Sequence, residues 1–300
     1  CEAEEFDIIC ERRATTLFAT SDRVFGVALE RPDGQLERIG CDRLILACNG
    51  FGGNRTLVKR HMPEIDGGLW FGHDGNRGEA VLWAEALGAK TQHLAAFQGH
   101  GNVAHPHGIL ITWAVITEGG IQVNRDGARF WNEAQGYSEA ARAVLEQPGN
   151  EAFAIFDGRI AAIARQFEDF KRAEAQGAIK IAETPEDLAA AVGLPPTTFM
   201  ATLEGLPAEG IDQFGRHFGA QQLKPPYCGV RVTGALFHTQ GGLCVDESAR
   251  VLRSEGGAFS NLFAGGGAAC GVSGRGDSGY LSGNGLLSAL VLGRLAGKAR

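Results

Sequence analysis

The chain has 300 residues, 44% of them hydrophobic and 21% charged, with a formal net charge of −7. A prior of ~150 residues per domain gives about two domains and a substantial core. Acidic residues scattered singly, without a Lys and Arg cluster, exclude a nucleic-acid partner, and no apolar run reaches the ~18 residues of a membrane helix, so a small-molecule partner is expected.

The opening residues, CEAEEFDIIC, lack the basic flank and apolar stretch of a secretion signal, and a cytoplasmic location is the expectation. The seven cysteines (Cys1, Cys10, Cys41, Cys48, Cys228, Cys244, Cys270) are odd in number and contain no C-x-x-C pair. They signal neither a disulfide framework nor a zinc site, and most are expected to be buried thiols. Glycine is the outlier: 44 residues, about twice the usual ~7%, clustered at strand ends. Because glycine lets backbone approach a ligand closely, such clusters favour a large, flat, phosphate-bearing cofactor.

In chain order, DIIC, TTLFAT, VFGVALE and QLERIG read as strands, the last two joined by the turn RPDG. LILAC at 44–48 reads as a fully buried strand that ends in NGFGGN and passes into a short helix at LVKRH. From 71 to 214 the pattern changes to helices and short strands: GEAVLWAEALGA is amphipathic, GGIQVN and ARFWN flank the turn RDG, and SEAARAVLEQ follows Tyr137. TPED predicts a helix start at Thr184, with Pro185 in the first turn and Asp187 three positions on. From about 228 β character returns in VRVTGALF, GGLCVD, ARVL and NLFAGG, and GNGLLSALVLGRLAG closes the chain as a helix. This predicts a split domain, residues 1–70 and 215–300, around an inserted α+β domain at 71–214.

Five blocks, LILACNGFGGN, TEGGIQVNRDGARFWNE, HTQGGLCVD, NLFAGGGAACGVSG and GNGLLSALVLGRLAG, resemble in order and spacing the flavoproteins that include soluble fumarate reductases, tricarballylate dehydrogenase and 3-ketosteroid dehydrogenases. The resemblance implies an α/β plus α+β fold: an FAD-binding Rossmann-like domain carrying an inserted capping domain. That domain is expected to be incomplete, because the amino-terminal G-x-G-x-x-G turn of such proteins has no counterpart and the first glycine is Gly26. FAD is the implied cofactor. Ala47, Cys48, Asn49, Gly50, Gly52, Gly53 and Asn54, together with Gly265, Gly266 and Gly267, are implied to lie along its phosphates and ribityl chain. Gly283, Asn284, Gly285 and Leu286 would open a helix toward the flavin ring, where unpaired N–H groups stabilise negative charge. The family's A-T-G-G is replaced by Ala47, Cys48, Asn49 and Gly50, and its frequent Glu by Gly267.

Hydrogen transfer across a C–C bond beside a carbonyl requires a proton donor or acceptor and a group that polarises the carbonyl. Where fumarate reductases carry two arginines, the resemblance aligns Tyr137 and Tyr280, the pattern of ketosteroid dehydrogenases, in which one tyrosine moves the proton and another binds the ketone oxygen. Each is alternatively an ordinary half-buried tyrosine. His238 in HTQGG and His100 in FQGHG match histidines of the fumarate reductase pocket, as do Thr117 and Glu118, the latter with an equal reading as a structural carboxylate. In a carboxylate-specific alternative, Arg275 substitutes for the lost arginine. His100, His105 and His107 lack the further ligands of a metal site, so no metal is expected. A different class also remains: an inactive fragment, or a subunit that completes its flavin site by association with another chain.

Overall fold

The computed structural model describes residues 7–277 and 279–299, so Cys1, Ser278 and Arg300 lie outside the described residues. Strands Arg13–Ala19, Val24–Glu30 and Leu36–Gly40 form an antiparallel meander. At RPDG, Gly34 N donates to Arg31 O and Arg31 N to Gln35 O, both at 2.9 Å, with Gly34 at φ 80°. The expected strand DIIC does not form. Residues 7–10 join no ladder, and Ile8 and Ile9 stay exposed, because an apolar tetrapeptide becomes a strand only where a neighbouring edge pairs its backbone.

A second sheet runs in the order Arg250–Leu252, Ala258–Ala264, Leu44–Leu46, the last two parallel. Asn261 ties it to the meander, accepting from Val24 N at 2.9 Å and donating to Val24 O and Asp42 O at 2.7 Å. The reading of LILAC as a fully buried strand is corrected here. Leu46 is buried but Ile45 is 42% exposed, because among the described residues Leu44–Leu46 pairs on one side only and forms the edge of its sheet.

The largest sheet is built on the long strand Tyr227–Thr239. It pairs antiparallel with Glu151–Asp157, Ile179–Ala182 and Phe97–Ala104, and parallel with Leu69–Trp70. The middle of the chain and the returning β segment therefore share one sheet across the boundaries at 70 and 214. The helix Tyr137–Leu145 lies directly on this sheet, and three glycines permit the approach. A Cβ at Gly101 would lie 2.4 Å from Ala140, one at Gly99 2.6 Å from Ala141, and one at Gly234 2.4 Å from the Ala141 carbonyl. The Ser138 hydroxyl accepts from Gly99 N at 3.0 Å and donates toward Phe97 O at 3.4 Å, fixing where the helix begins and hence where Tyr137 stands.

The sheet's core gathers Ile111, Ile116, Phe156, Phe170, Val230 and Val232, each such buried side chain contributing ~1.5–3 kcal/mol. Pro185–Val192 starts as the sequence predicts, with Thr184 Oγ1 accepting from Asp187 N at 3.1 Å. The closing helix Asn284–Lys298 reverses the usual pattern: Asn284, Ser288 and Ala296 face inward, while Leu286, Leu287, Leu290 and Val291 are exposed. Most cysteines were expected inside, but of the six described, all free, Cys228 and Cys244 alone are buried and Cys10 and Cys48 are exposed, since edges and turns carry them. No helix among the described residues is long and apolar enough to cross a membrane.

Candidate functional site

Six segments converge on a chamber of rings. His100, from Phe97–Ala104, stacks between Tyr137 at 5.1 Å and Phe237 at 5.3 Å, with the edge of Trp113 at 5.8 Å. Phe71 stacks on Phe237 at 4.6 Å, and Tyr280, from the loop before the closing helix, meets Tyr137 at 5.7 Å, edge to face. The two phenol rings are direct neighbours. Burial first, and then the neighbouring Tyr137 phenol, push the Tyr280 phenol up to about 12, although Ser282 and the Gly283 N–H act to lower it. Tyr280 is therefore protonated at ordinary pH and has a proton to donate.

His100 is buried, and desolvation holds its imidazole down at about 3, so the ring is neutral. Its Nδ1 accepts from Asn102 N at 3.2 Å, which leaves the proton on Nε2. The backing is a buried polar chain. Gln122 Nε2 donates to Gly101 O at 2.9 Å, Trp131 Nε1 donates to Gln122 Oε1 at 3.0 Å, and Glu133 accepts from Gln122 N at 2.9 Å and from Arg129 Nε at 3.0 Å. The two tyrosine-bearing segments are also joined by charge: Arg142 Nε donates to Asp277 Oδ2 at 2.9 Å, and Tyr280 N bonds Asp277 O at 3.3 Å.

Beside the chamber lies an open groove of about 500 Å³, walled by Ile45, Ala47, Asn49, His238, Gly265, Gly266, Gly267, Gly285, Leu286, Ala289 and Gly293. Its walls are largely backbone. A Cβ at Gly293 would meet nothing within 4 Å, and Gly266 sits at φ 59°. Gly283, at φ 82°, caps the closing helix without a side chain, leaving the helix start open toward a ligand. Burial lowers the His238 imidazole below its ordinary range. A long, thin, phosphate-bearing group such as FAD fits this lining of glycine, alanine and a helix start.

The predicted cofactor residues divide in two. Ala47, Asn49, Gly265, Gly266, Gly267, Gly285 and Leu286 line the groove. Gly50, Gly52, Gly53, Asn54 and the Asn284 side chain have structural work. A Cβ at Gly50 would strike Thr239 Oγ1, and one at Gly52 the Trp70 ring. Gly53 N bonds Asn76 O, and Asn54 caps Arg55–His61 by accepting from Leu57 N at 3.2 Å. Asn284 bonds Val272, Ser273 and Gln240. Cys48 is exposed at the strand's end.

His100, Tyr137 and Tyr280 come together as rings, whereas Thr117 and Glu118 end a short helix on an exposed turn. Thr117 Oγ1 bonds Ala114 O, and Glu118 lies 3.6 Å from Arg159. Arg275, His105 and His107 are exposed, and among the described residues no group of three or more His, Cys, Asp or Glu is arranged to hold a metal. The third tyrosine, Tyr227, lines a separate cavity of about 440 Å³ that shares no residue with the groove. Sequence reasoning missed Phe71, Trp113, Phe237 and Gln240. Phe237 read as an ordinary strand residue at the end of VRVTGALF, Phe71 and Trp113 lay in no motif, and Gln240 stood unread inside HTQGG.

A family model described as "FAD binding domain" matches residues 1–286. The chain is 26% identical over 297 residues to an NADH:fumarate oxidoreductase of Klebsiella pneumoniae (strain 342), covering 97% of this chain and 32% of that protein. Among solved structures, it resembles the open conformation of a flavocytochrome c3 fumarate reductase (TM-score 0.78, 28% identity, 95% of this chain and 51% of that one). It also resembles 3-ketosteroid-Δ4-(5α)-dehydrogenase from Rhodococcus jostii RHA1 in complex with 4-androstene-3,17-dione (TM-score 0.68, 26% identity, 95% and 58%). The chain thus spans about a third of that curated relative and about half of those structures.

Proposed function

This chain belongs to the FAD-binding domain family, and from that premise we propose that it is an FAD-dependent oxidoreductase acting on a CH–CH bond next to a ketone. The observation that carries the reading is the neighbouring pair Tyr137 and Tyr280, in edge-to-face contact among aromatic rings beside a neutral His100. The rings around the two phenols favour an uncharged alicyclic substrate over a dicarboxylate.

Bound FAD supplies the hydride acceptor, or the donor when the reaction runs toward C=C reduction. The protein's part is the proton. In dehydrogenation, the C–H bond beside the ketone breaks and its proton passes to Tyr137 acting as its phenolate, which becomes the neutral phenol, while the electron pair left behind forms the C=C bond as hydride leaves the next carbon. Tyr280, with His238, donates to the ketone oxygen and stabilises the charge that develops there. Trp113, Phe237 and Phe71 exclude water, and His100, stacked between Tyr137 and Phe237, holds the Tyr137 ring in place.

A carboxylate oxidoreductase is the second reading, favoured by the similarity to the flavocytochrome c3 fumarate reductase. It would use His100, Thr117, Glu118 and His238, with Arg275 binding the carboxylate. The groove, bounded by the open edge Leu44–Leu46 and the exposed Leu286 and Leu290, further supports association with an additional strand-and-helix segment that completes the flavin site. In this proposal residues 1–70 and 215–300 hold the cofactor, 71–214 cover the substrate, and the protein works in the cytoplasm.

Tyr137→Phe in flavin-loaded protein is expected to lower turnover of a cyclic ketone by about 10²–10⁴-fold. Unchanged turnover in that variant would remove the proton-transfer role.

A further inference from the structure

We propose that Gln240 and Asn284 form a directional amide relay that holds His238 as a neutral imidazole with its proton on Nε2, aimed at the start of the closing helix. The direction is set from one end. Val272 N can only donate, and it donates to Asn284 Oδ1 at 3.0 Å, which turns the Asn284 amide so that Nδ2 faces Gln240 Oε1 and donates to it. Ser273 adds a second donor to the same oxygen at 3.2 Å. With its oxygen so occupied, Gln240 presents its NH₂ group to His238 Nδ1, 3.0 Å away. A ring nitrogen that accepts a hydrogen bond carries no proton, so the neutral ring carries it on Nε2.

The relay has little room to reverse. Gln240, Ser273 and Asn284 are all buried, and the Gln240 main chain is pinned on both sides: its N donates to Ala96 O at 2.8 Å and its O accepts from Gly271 N at 3.0 Å. The far nitrogen is directed to the groove, since a Cβ on Gly285 would lie 3.6 Å from His238 Nε2. His238 therefore offers a donor there and no base, which suits an oxygen gaining negative charge. Gln240 and Asn284 are positioning residues, acting through His238. The link to a ketone oxygen rests on the function proposed above; the tautomer does not.

The test is the imidazole ¹⁵N spectrum of the full chain labelled at histidine, at pH 7, with His238 identified by the signals lost in His238→Asn, or in His238→Gln should that variant fold better. The expected pattern is an unprotonated Nδ1 and a protonated Nε2. In Gln240→Glu the carboxylate accepts instead, so the proton is expected on Nδ1 and the ring is expected to charge at a higher pH than in the parent. A parent His238 that is charged or protonated on Nδ1 at pH 7, or a Gln240→Glu spectrum identical to the parent's, overturns the relay. In flavin-loaded protein, Gln240→Glu should also lower ketone turnover about tenfold. A parent with the expected tautomer but no turnover of any ketone refutes the proposed reaction and leaves the relay standing.

Discussion

The ring chamber and the glycine groove are neighbours built on opposite principles. The chamber is closed by packing: His100 lies between two rings, the Tyr137 helix rests on three glycines, and a buried polar chain backs it. The groove is open: its walls are backbone and small side chains, and Ile45, Leu286 and Leu290 are exposed around it. Glycine serves both, in contrary ways. At Gly101 it admits a neighbouring helix; at Gly293 it leaves space for something that is not protein. In the proposed reading the chain carries both phenols itself and supplies one side of a cofactor cradle.

The contrast is broken most severely by substituting glycines from each region. Gly101→Val would drive a side chain into Ala140, and a loss of ~3 kcal/mol or more in unfolding free energy is expected by urea titration. Gly293→Leu has open space and should keep the parent's stability within ~0.5 kcal/mol while weakening FAD retention. Equal stability losses in the two variants would erase the distinction.

Burial of His100 predicts a specific acid sensitivity. Its folded pKa, about 3, lies below the unfolded value near 6.5, so between these values the unfolded chain binds more protons and stability falls as pH falls. At pH 4.5 the parent should have lost ~2–3 kcal/mol relative to pH 7 through this group, and His100→Gln should show correspondingly less acid destabilisation. An identical pH dependence in the two proteins would mean that the ring is not desolvated as described. The smallest effect on stability is expected on the groove's outer face. Leu290→Glu, at a 74% exposed position, should change unfolding by less than ~0.5 kcal/mol yet reduce any association measured by size-exclusion chromatography. Association undiminished by the charge would argue that the face is not a contact.

Local patterns carried much of the fold. VFGVALE is a strand over its whole length, TPED caps a helix at Thr184, and the closing segment is helical as expected, although its leucines face outward. DIIC and Ile45 departed because strand burial depends on a partner edge, which lies elsewhere in the chain. At the site, Tyr137 and Tyr280 were legible by resemblance, but their ring contact depends on Gly99, Gly101 and Gly234 seating a helix, a contact between distant segments. Asn54 carried a readable signal that was assigned to cofactor binding, although an Asn directly before a helical run is first of all a cap.

The most direct test of the central claim is anaerobic mixing of the flavin-loaded chain with a cyclic 3-ketone of steroid type and, separately, with succinate, following the visible flavin absorbance. Bleaching by the ketone and none by succinate is the predicted result. Bleaching by succinate with the ketone inert would contradict the account and assign the site to carboxylates.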